Sequence, residues 1–145
     1  MTHRPAEDRA AEAARSSLGL PSNEPFRAFR VRRLRPEVDD YFLVVFGADE
    51  RATGVAAVDC GTFDVRESAR LPGLAPHSIL SAGEARAIAG LPETGTGELV
   101  WEPSAASRSP FHPLWRFDRP GGVIWIDAVR GVAFDSLDPP GRRGG

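Results

Sequence analysis

The order of hydrophobic and polar residues along the chain predicts two helices and six strands. Residues 6–18 are rich in Ala and Glu and contain no Gly or Pro, and Gly19 follows them, which is typical of a helix that ends at a glycine. A second helix is expected after Ser81, because Glu84 completes a capping-box pattern and Gly90 provides a stop signal. Strands are expected at about 26–34, 41–47, 54–59, 98–102, 113–118 and 122–127.

One predicted strand carries apolar side chains on both of its alternating faces. Residues 41–46 read Tyr-Phe-Leu-Val-Val-Phe, which is typical of a central strand that is covered on both sides. A helix can cover one side. Either a sister repeat or a second molecule must then cover the other side.

The chain also contains an internal repeat. Residues 14–21 recur as residues 85–92 with an offset of 71, and the same offset carries Leu43 onto Leu114. Further along the offset is 68, so that Asp59 falls on Asp127, and the change of three lies in a turn, where a repeat tolerates it. The repeat predicts an α+β fold of two tandem α-β-β-β units, each with an antiparallel three-stranded meander, related by a pseudo-twofold axis.

This repeat divides the chain into four predicted segments. Residues 1–69 form the first α-β-β-β unit and residues 81–137 the second. Between them, residues 70–80 form a linker rich in Pro and Gly, and residues 138–145 form a tail that is expected to be disordered.

Each predicted meander ends in a short motif built around an aspartate. Residues 58–62 read Val-Asp-Cys-Gly-Thr and residues 126–131 read Ile-Asp-Ala-Val-Arg-Gly, and both approximate a Val-Asp-Xaa-Xaa-Thr-Gly-like turn. With a helix that ends at Gly and a second strand that begins Tyr-Phe-Leu-Val-Val, the pattern resembles the PepSY-like unit, in two tandem copies over about residues 6–66 and 81–134. The resemblance implies a peptide- or protein-binding module, because such units occur as protease propeptides and inhibitory domains.

Composition and charge narrow the classes of partner. A formal net charge of −2 over 145 residues argues against general affinity for nucleic acid or for a membrane. Neither a secretory signal nor a membrane-spanning stretch is expected from the pattern of apolar residues. The single cysteine, Cys60, excludes an intramolecular disulfide and suits a reducing compartment. We therefore expect a cytoplasmic protein with a protein or peptide partner, and a homodimer through a sheet face or edge is an open alternative.

No cofactor and no metal are predicted. The cysteine and the three histidines show neither Cys-Xaa-Xaa-Cys nor His-Xaa-Xaa-Xaa-His spacing, which a metal site of this kind would need. No recognisable nucleophile motif surrounds Cys60, so we expect a turn cysteine with an ordinary pKa.

Five arginines lie in a stretch of nine residues, 27–35, which overlaps the first predicted strand. They make this strand either a charged sheet edge or a surface that faces an anion, and both interpretations stay open. The five are Arg27, Arg30, Arg32, Arg33 and Arg35.

The second copy differs from the first in a segment rich in Ser, Pro and aromatic residues, between Trp101 and Trp115. A hairpin loop usually needs two to five residues, so the excess length of this segment favours a recognition role. Trp101, Trp115 and Trp125 could form a surface under this loop, or they could fill the core. The candidate binding residues are Arg30, Arg32, Trp101, Arg108, Phe111, His112 and Trp115.

Three functions are compatible with this pattern. The leading hypothesis is a non-catalytic module that binds a protein or peptide, as an accessory or inhibitory partner of an enzyme. The second is a small enzyme with a cleft between the repeats, using His112 with Asp118 or Cys60. The third is a carrier that holds an apolar small molecule in a pocket lined by tryptophan.

Overall fold

The computed structural model describes residues 5–35, 37–92 and 97–137. The chain divides into two compact units, Met1–His77 and Ser78–Gly145. This boundary lies inside the predicted linker at residues 70–80. The tail predicted at residues 138–145 lies outside the described residues.

Unit 1 is a helix followed by an antiparallel meander in which β2 lies between β1 and β3, and β4 pairs with β3. Pro5 occupies the first helical position, where its missing N–H has no helical acceptor in any case, and Glu7 and Asp8 favour the positive end of the helix dipole. Its elements are α1 (Pro5–Leu18), β1 (Phe26–Arg33), β2 (Tyr41–Ala48), β3 (Arg51–Asp59) and β4 (Val65–Arg70).

Unit 2 has the same order of elements, again with antiparallel pairing of successive strands. The capping box predicted at Ser81 and Glu84 is confirmed, with each side chain accepting from the backbone N–H of the other residue. The predicted stop is confirmed too, because Gly90 is the C-cap in a left-handed conformation with φ 71°. The elements are α2 (Ala82–Ala89), β5 (Gly97–Trp101), β6 (Leu114–Arg119), β7 (Gly122–Asp127) and β8 (Ala133–Phe134).

The described residues thus form the mixed α+β fold that the sequence predicts, but each unit has four strands and not three. The fourth strand of unit 1, β4, reads Val-Arg-Glu-Ser-Ala-Arg and exposes four of its six residues, so no apolar alternation marks it. The fourth strand of unit 2 has only two residues, which is too short for a pattern to be detected.

The core of unit 1 depends on small residues in α1. Ala10, Ala11 and Ala14 are fully buried, and they let the helix approach the side chains of Phe42 and Val44 on β2. The opposite face of β2 is buried as well: Tyr41, Leu43 and Val45 are at most 2% exposed. The prediction of a central strand covered on both faces is confirmed.

Asp59 and Asp127 end the third strands of the two units in turns with the same backbone hydrogen bonds. The N–H of each Asp donates to the carbonyl five residues later, over 2.9 Å in both units. Its carbonyl accepts from the N–H four residues later, which belongs to Phe63 in unit 1 and Gly131 in unit 2. Both of these residues are left-handed, with φ 60° and 71° respectively.

The strand register differs by two residues from the alignment expected from the sequence. Tyr41 pairs with Asp59, and Leu114 pairs with Asp127, so the offset between these two β2 and β6 positions is 114 − 41 = 73. The offset of 71, which aligned Leu43 with Leu114, is therefore wrong in this strand. A shift of two residues keeps every side chain on the same face of the sheet, which is why the apolar pattern did not reveal it.

Part of the predicted linker is bound to its own unit. The N–H of Leu71 donates to the carbonyl of Thr53, and the N–H of Gly73 donates to that of Ala52, over 3.0 and 3.1 Å. Ala52 in turn donates to the carbonyl of Ala75 over 2.9 Å. Residues 71–75 therefore follow the start of β3 as a bonded segment.

Candidate functional site

The segment 102–113, which we call the serine loop, joins β5 to β6 in unit 2. Its first part is closed by Ser104 and Ser107, which are 1% and 3% exposed. The N–H of Ser107 donates to Oγ of Ser104 over 3.1 Å, and the N–H of Ser104 donates to the carbonyl of Ser107 over 3.0 Å. This reciprocal pair satisfies polar groups that burial would otherwise make costly.

Ser107 also connects the first part of the serine loop to the end of β5 and to the second part of the loop. The indole N–H of Trp101 donates to Oγ of Ser107 over 3.2 Å, and this hydroxyl donates to the carbonyl of His112 over 2.6 Å. In the second half, Ser109 accepts from two residues: its Oγ from the N–H of Phe111 and its carbonyl from that of His112. Hydrogen bonds of its own serine residues therefore hold the loop in one conformation.

An ion pair between an exposed arginine and a buried carboxylate joins the loop to the turn after β7. Arg130 donates through Nε to Oδ2 of Asp127 over 2.9 Å, and its Nη2 lies 2.8 Å from the same oxygen and donates to the carbonyl of Ala106 over 3.0 Å. Asp127 is fully buried, and its Oδ1 accepts from the N–H groups of Val129 and Arg130. The role of Arg130 was not predicted from the sequence, although its position three residues after Asp127 in the turn motif is a signal for an ion pair.

A shallow pocket of about 320 Å³ opens at the surface of the serine loop. Arg108, His112 and Arg130 are among its lining residues, and Arg108 is exposed. The full lining consists of Ala105, Ala106, Ser107, Arg108, Ser109, His112 and Arg130.

The three tryptophans do not share one face of the sheet of unit 2. Trp115 pairs with Ile126 across β6 and β7, so Trp125 next to Ile126 points to the opposite face, and its ring lies 5.8 Å from the guanidinium of Arg116. Trp101 is 5% exposed, and the indole N–H of Trp115 donates to the carbonyl of Leu80 over 2.8 Å. Trp101 and Trp115 therefore have structural partners, and neither described pocket is lined by tryptophan.

The arginine-rich strand β1 sends its arginines in different directions. Arg33 is partly buried and lies 3.6 Å from the buried carboxylate of Asp59, which also accepts a hydrogen bond from Nε of Arg66. Arg30 lies 3.4 Å from Asp40 and keeps 65% of its side chain exposed, and Arg32 is exposed as well. The five arginines are thus not a single anion-facing surface, since Arg33 stabilises the fold.

Cys60 lines a second pocket, of about 440 Å³, in unit 1, together with Arg30, Asp39 and Asp40. Burial raises the pKa of the Cys60 thiol to about 11, and the nearby Arg30 lowers it only in part. The expected ordinary pKa was wrong, because the sequence does not show that the turn is half-buried. A raised pKa disfavours the thiolate that a nucleophile needs.

The residues proposed for an enzyme are not brought together within unit 2. His112 precedes β6 and lines the loop pocket, whereas Asp118, the fifth residue of this strand, is not among the lining residues. Asp118 has 80% of its side chain exposed and pairs with Arg116 over 3.4 Å. Across the described residues, no group of three or more His, Cys, Asp or Glu side chains could hold a metal ion.

Comparisons with known proteins show no family for this chain. No protein-family model matches it, and no curated protein matches it. One solved structure with a detectable likeness is that of a predicted lipoprotein from Clostridium difficile 630, at 14% identity over 89% of each chain. The TM-score is 0.32, so this likeness carries no argument about fold or function. None of the described helices is both long enough and apolar enough to cross a membrane.

Proposed function

We propose that this protein is a non-catalytic module that binds a protein or peptide through the serine loop. The observation that carries the proposal is the hydrogen-bonded loop itself, in which Ser107 connects Trp101 to His112 and leaves a shallow pocket at the surface. A loop of this length, 12 residues between β5 and β6, exceeds what a hairpin needs and is built to hold side chains in place.

The internal bonding favours binding because it lowers the entropy cost of complex formation. A partner that meets an ordered loop does not have to immobilise it, whereas ordering a flexible side chain on binding costs about 0.5–1.5 kcal/mol. Arg108 and Phe111 lie on this ordered frame, and arginine and aromatic residues are enriched at the centres of interfaces. The mixture of a charged rim and apolar neighbours suits a peptide better than a purely apolar ligand.

Two features favour binding over catalysis. The lining of the loop pocket includes His112 but no carboxylate and no thiol that could act with it as a nucleophile or an orienting group. In unit 1, the raised pKa of Cys60 leaves the thiol protonated at neutral pH. The enzyme and carrier hypotheses therefore have weaker support than the binding module.

The tandem arrangement belongs to the same proposal. The turn hydrogen bonds that Asp59 and Asp127 share, and the identical order of helix and strands, support two copies of one PepSY-like unit. In this arrangement the first copy keeps a plain connection between β1 and β2, and the second copy carries the recognition loop. A cytoplasmic location is part of the proposal and rests on the single cysteine.

A peptide selection on the full chain tests the proposal. A random peptide library displayed on phage is selected on the immobilised wild-type protein and counter-selected on the bare support. The selected peptides are then mapped by amide NMR shifts on the labelled protein. We expect saturable shifts at residues 104–112, and a footprint confined to unit 1 would contradict the proposal.

A further inference from the structure

We infer that the pocket of the serine loop binds a carboxylate of the partner, with Arg108 as the residue that recognises it. This inference rests on the proposed function, and it adds the chemical class of the group that the loop receives. The carboxylate could belong to an Asp or Glu side chain or to the C-terminus of a peptide.

One of the two arginines that line the pocket has a charge that no carboxylate compensates. Arg130 is compensated by the buried carboxylate of Asp127 at 2.8 Å. In the part of the chain that the structure describes, Arg108 has no ion-pair partner, and this exposed residue lines the pocket. The guanidinium of Arg108 is therefore the uncompensated arginine charge among the lining residues, and a single positive charge matches a monovalent anion.

The available donors also match a carboxylate. Arg108 offers a complete planar fork of N–H groups, the geometry that binds both oxygens of a carboxylate. Arg130 uses Nε and Nη2 for Asp127 and Ala106, and its Nη1 has no acceptor among the described residues. Two of the lining residues, Arg108 and Arg130, therefore offer guanidinium N–H groups to a carboxylate.

A phosphate dianion fits this pocket less well. Phosphate sites commonly use several backbone N–H groups that converge on the anion. Here the N–H groups of two lining residues, Ser107 and His112, donate to acceptors inside the loop and are not available to an anion. The second negative charge would also exceed the single uncompensated cation of the site.

Small probes can test the inference on the labelled full-length protein without a known partner. Four are titrated in separate NMR experiments: acetyl-Ala-Glu-Ala-amide, acetyl-Ala-Ala-Ala with a free C-terminus, acetyl-Ala-Gln-Ala-amide and inorganic phosphate. The first two distinguish a side-chain carboxylate from a terminal one, and the third is the neutral isostere. We expect saturable shifts at the amides of Ser107, Arg108 and Ser109 with at least one carboxylate probe, and about tenfold weaker binding of the Gln probe and of phosphate.

Two charge-matched variants complete the test. Arg108→Gln should weaken the binding of the carboxylate probe about tenfold. Arg51→Gln, which removes an exposed arginine of unit 1, should leave this binding unchanged. Equal binding of the Glu and Gln probes, tightest binding of phosphate, or equal losses in both variants would overturn the inference. If selected peptides bind the loop but neither carboxylate probe does, the inference fails while the proposed function stands. If neither kind of peptide shifts the loop, both fail.

Discussion

Arg130 lies 2.8 Å from the carboxylate of Asp127 and at the same time donates to the carbonyl of Ala106, 24 residues earlier in the chain. Asp127 is fully buried, while the side chain of Arg130 is 54% exposed. One side chain therefore connects the end of β7 to the serine loop. This contact links the stability of unit 2 to the shape of its candidate binding surface.

The first prediction concerns this ion pair. Asp127→Ala removes a buried acceptor of bonds from Val129 and Arg130, so we expect the free energy of unfolding to fall by about 3 kcal/mol. Asp118→Ala is the matched control, because its carboxylate is 80% exposed and its loss should change stability by about 0.5 kcal/mol or less. Urea denaturation measures both values, and equal effects of the two substitutions would contradict the structural role of Asp127.

Replacing each of two glycines of unit 2 by alanine should change the stability of the protein in opposite directions. Gly131 has φ 71°, and a Cβ there would lie 3.3 Å from Cδ1 of Ile88, so Gly131→Ala should destabilise the protein by about 1–2 kcal/mol. Gly83 lies in α2 with no close neighbour, so Gly83→Ala should stabilise it by about 0.5 kcal/mol. Thermal melting of both variants gives the sign of each change in stability. A stabilising effect of Gly131→Ala would contradict the left-handed conformation of Gly131.

The capping box of α2 should make stability depend on pH in a defined direction. Hydrogen bonds from Ser81 lower the pKa of Glu84 from its ordinary value of 4.5. A lowered carboxyl pKa stabilises the fold above the ordinary value, and this contribution disappears as the pH falls through the lowered pKa. The melting temperature of wild type should therefore exceed that of Glu84→Gln at pH 7, and the difference should shrink as the pH falls below 4.5. A difference that stays constant over this range would mean that charge plays no part.

Cys60 should react slowly with alkylating reagents. Because burial raises the pKa of its thiol to about 11, the thiolate at pH 8 is roughly a hundredfold scarcer than for an ordinary cysteine. The rate of reaction with iodoacetamide should rise tenfold per pH unit from pH 8 to pH 10. The unfolded protein in guanidinium chloride is the control, and a folded protein that reacts as fast at pH 8 would contradict the raised pKa.

Much of the fold could be predicted because its signals are local. The helix stops at Gly19 and Gly90 and the capping box at Ser81 depend on neighbouring residues alone, so the sequence contains the necessary information. Strand β4 escaped prediction because charged side chains on an exposed strand look like a loop. The register of β6 escaped it too, because a shift of two residues preserves the apolar pattern.

The position of the candidate site along the chain could be predicted, but the contacts that hold its residues could not. The length and composition of the serine loop pointed to it, and Arg108 and His112 do line its pocket. The roles of Ser107 and Arg130 depend on contacts between positions that are brought together only by folding. The sequence left open whether Trp101 lies at the surface or in the core, because a tryptophan in a strand gives no sign of which face it occupies, and the structure buries it.

The affinity of one selected peptide for wild type and for the Arg108→Ala, Phe111→Ala double variant tests the binding module most directly. Isothermal titration calorimetry gives the affinity, and the melting temperature of each protein is recorded beside it. We predict that the double variant binds more weakly by about 2 kcal/mol or more, roughly 30-fold, while its melting temperature stays within a few degrees of wild type. Unchanged affinity in a folded variant, or unfolding of the variant with normal binding in the folded fraction, would contradict recognition by the serine loop.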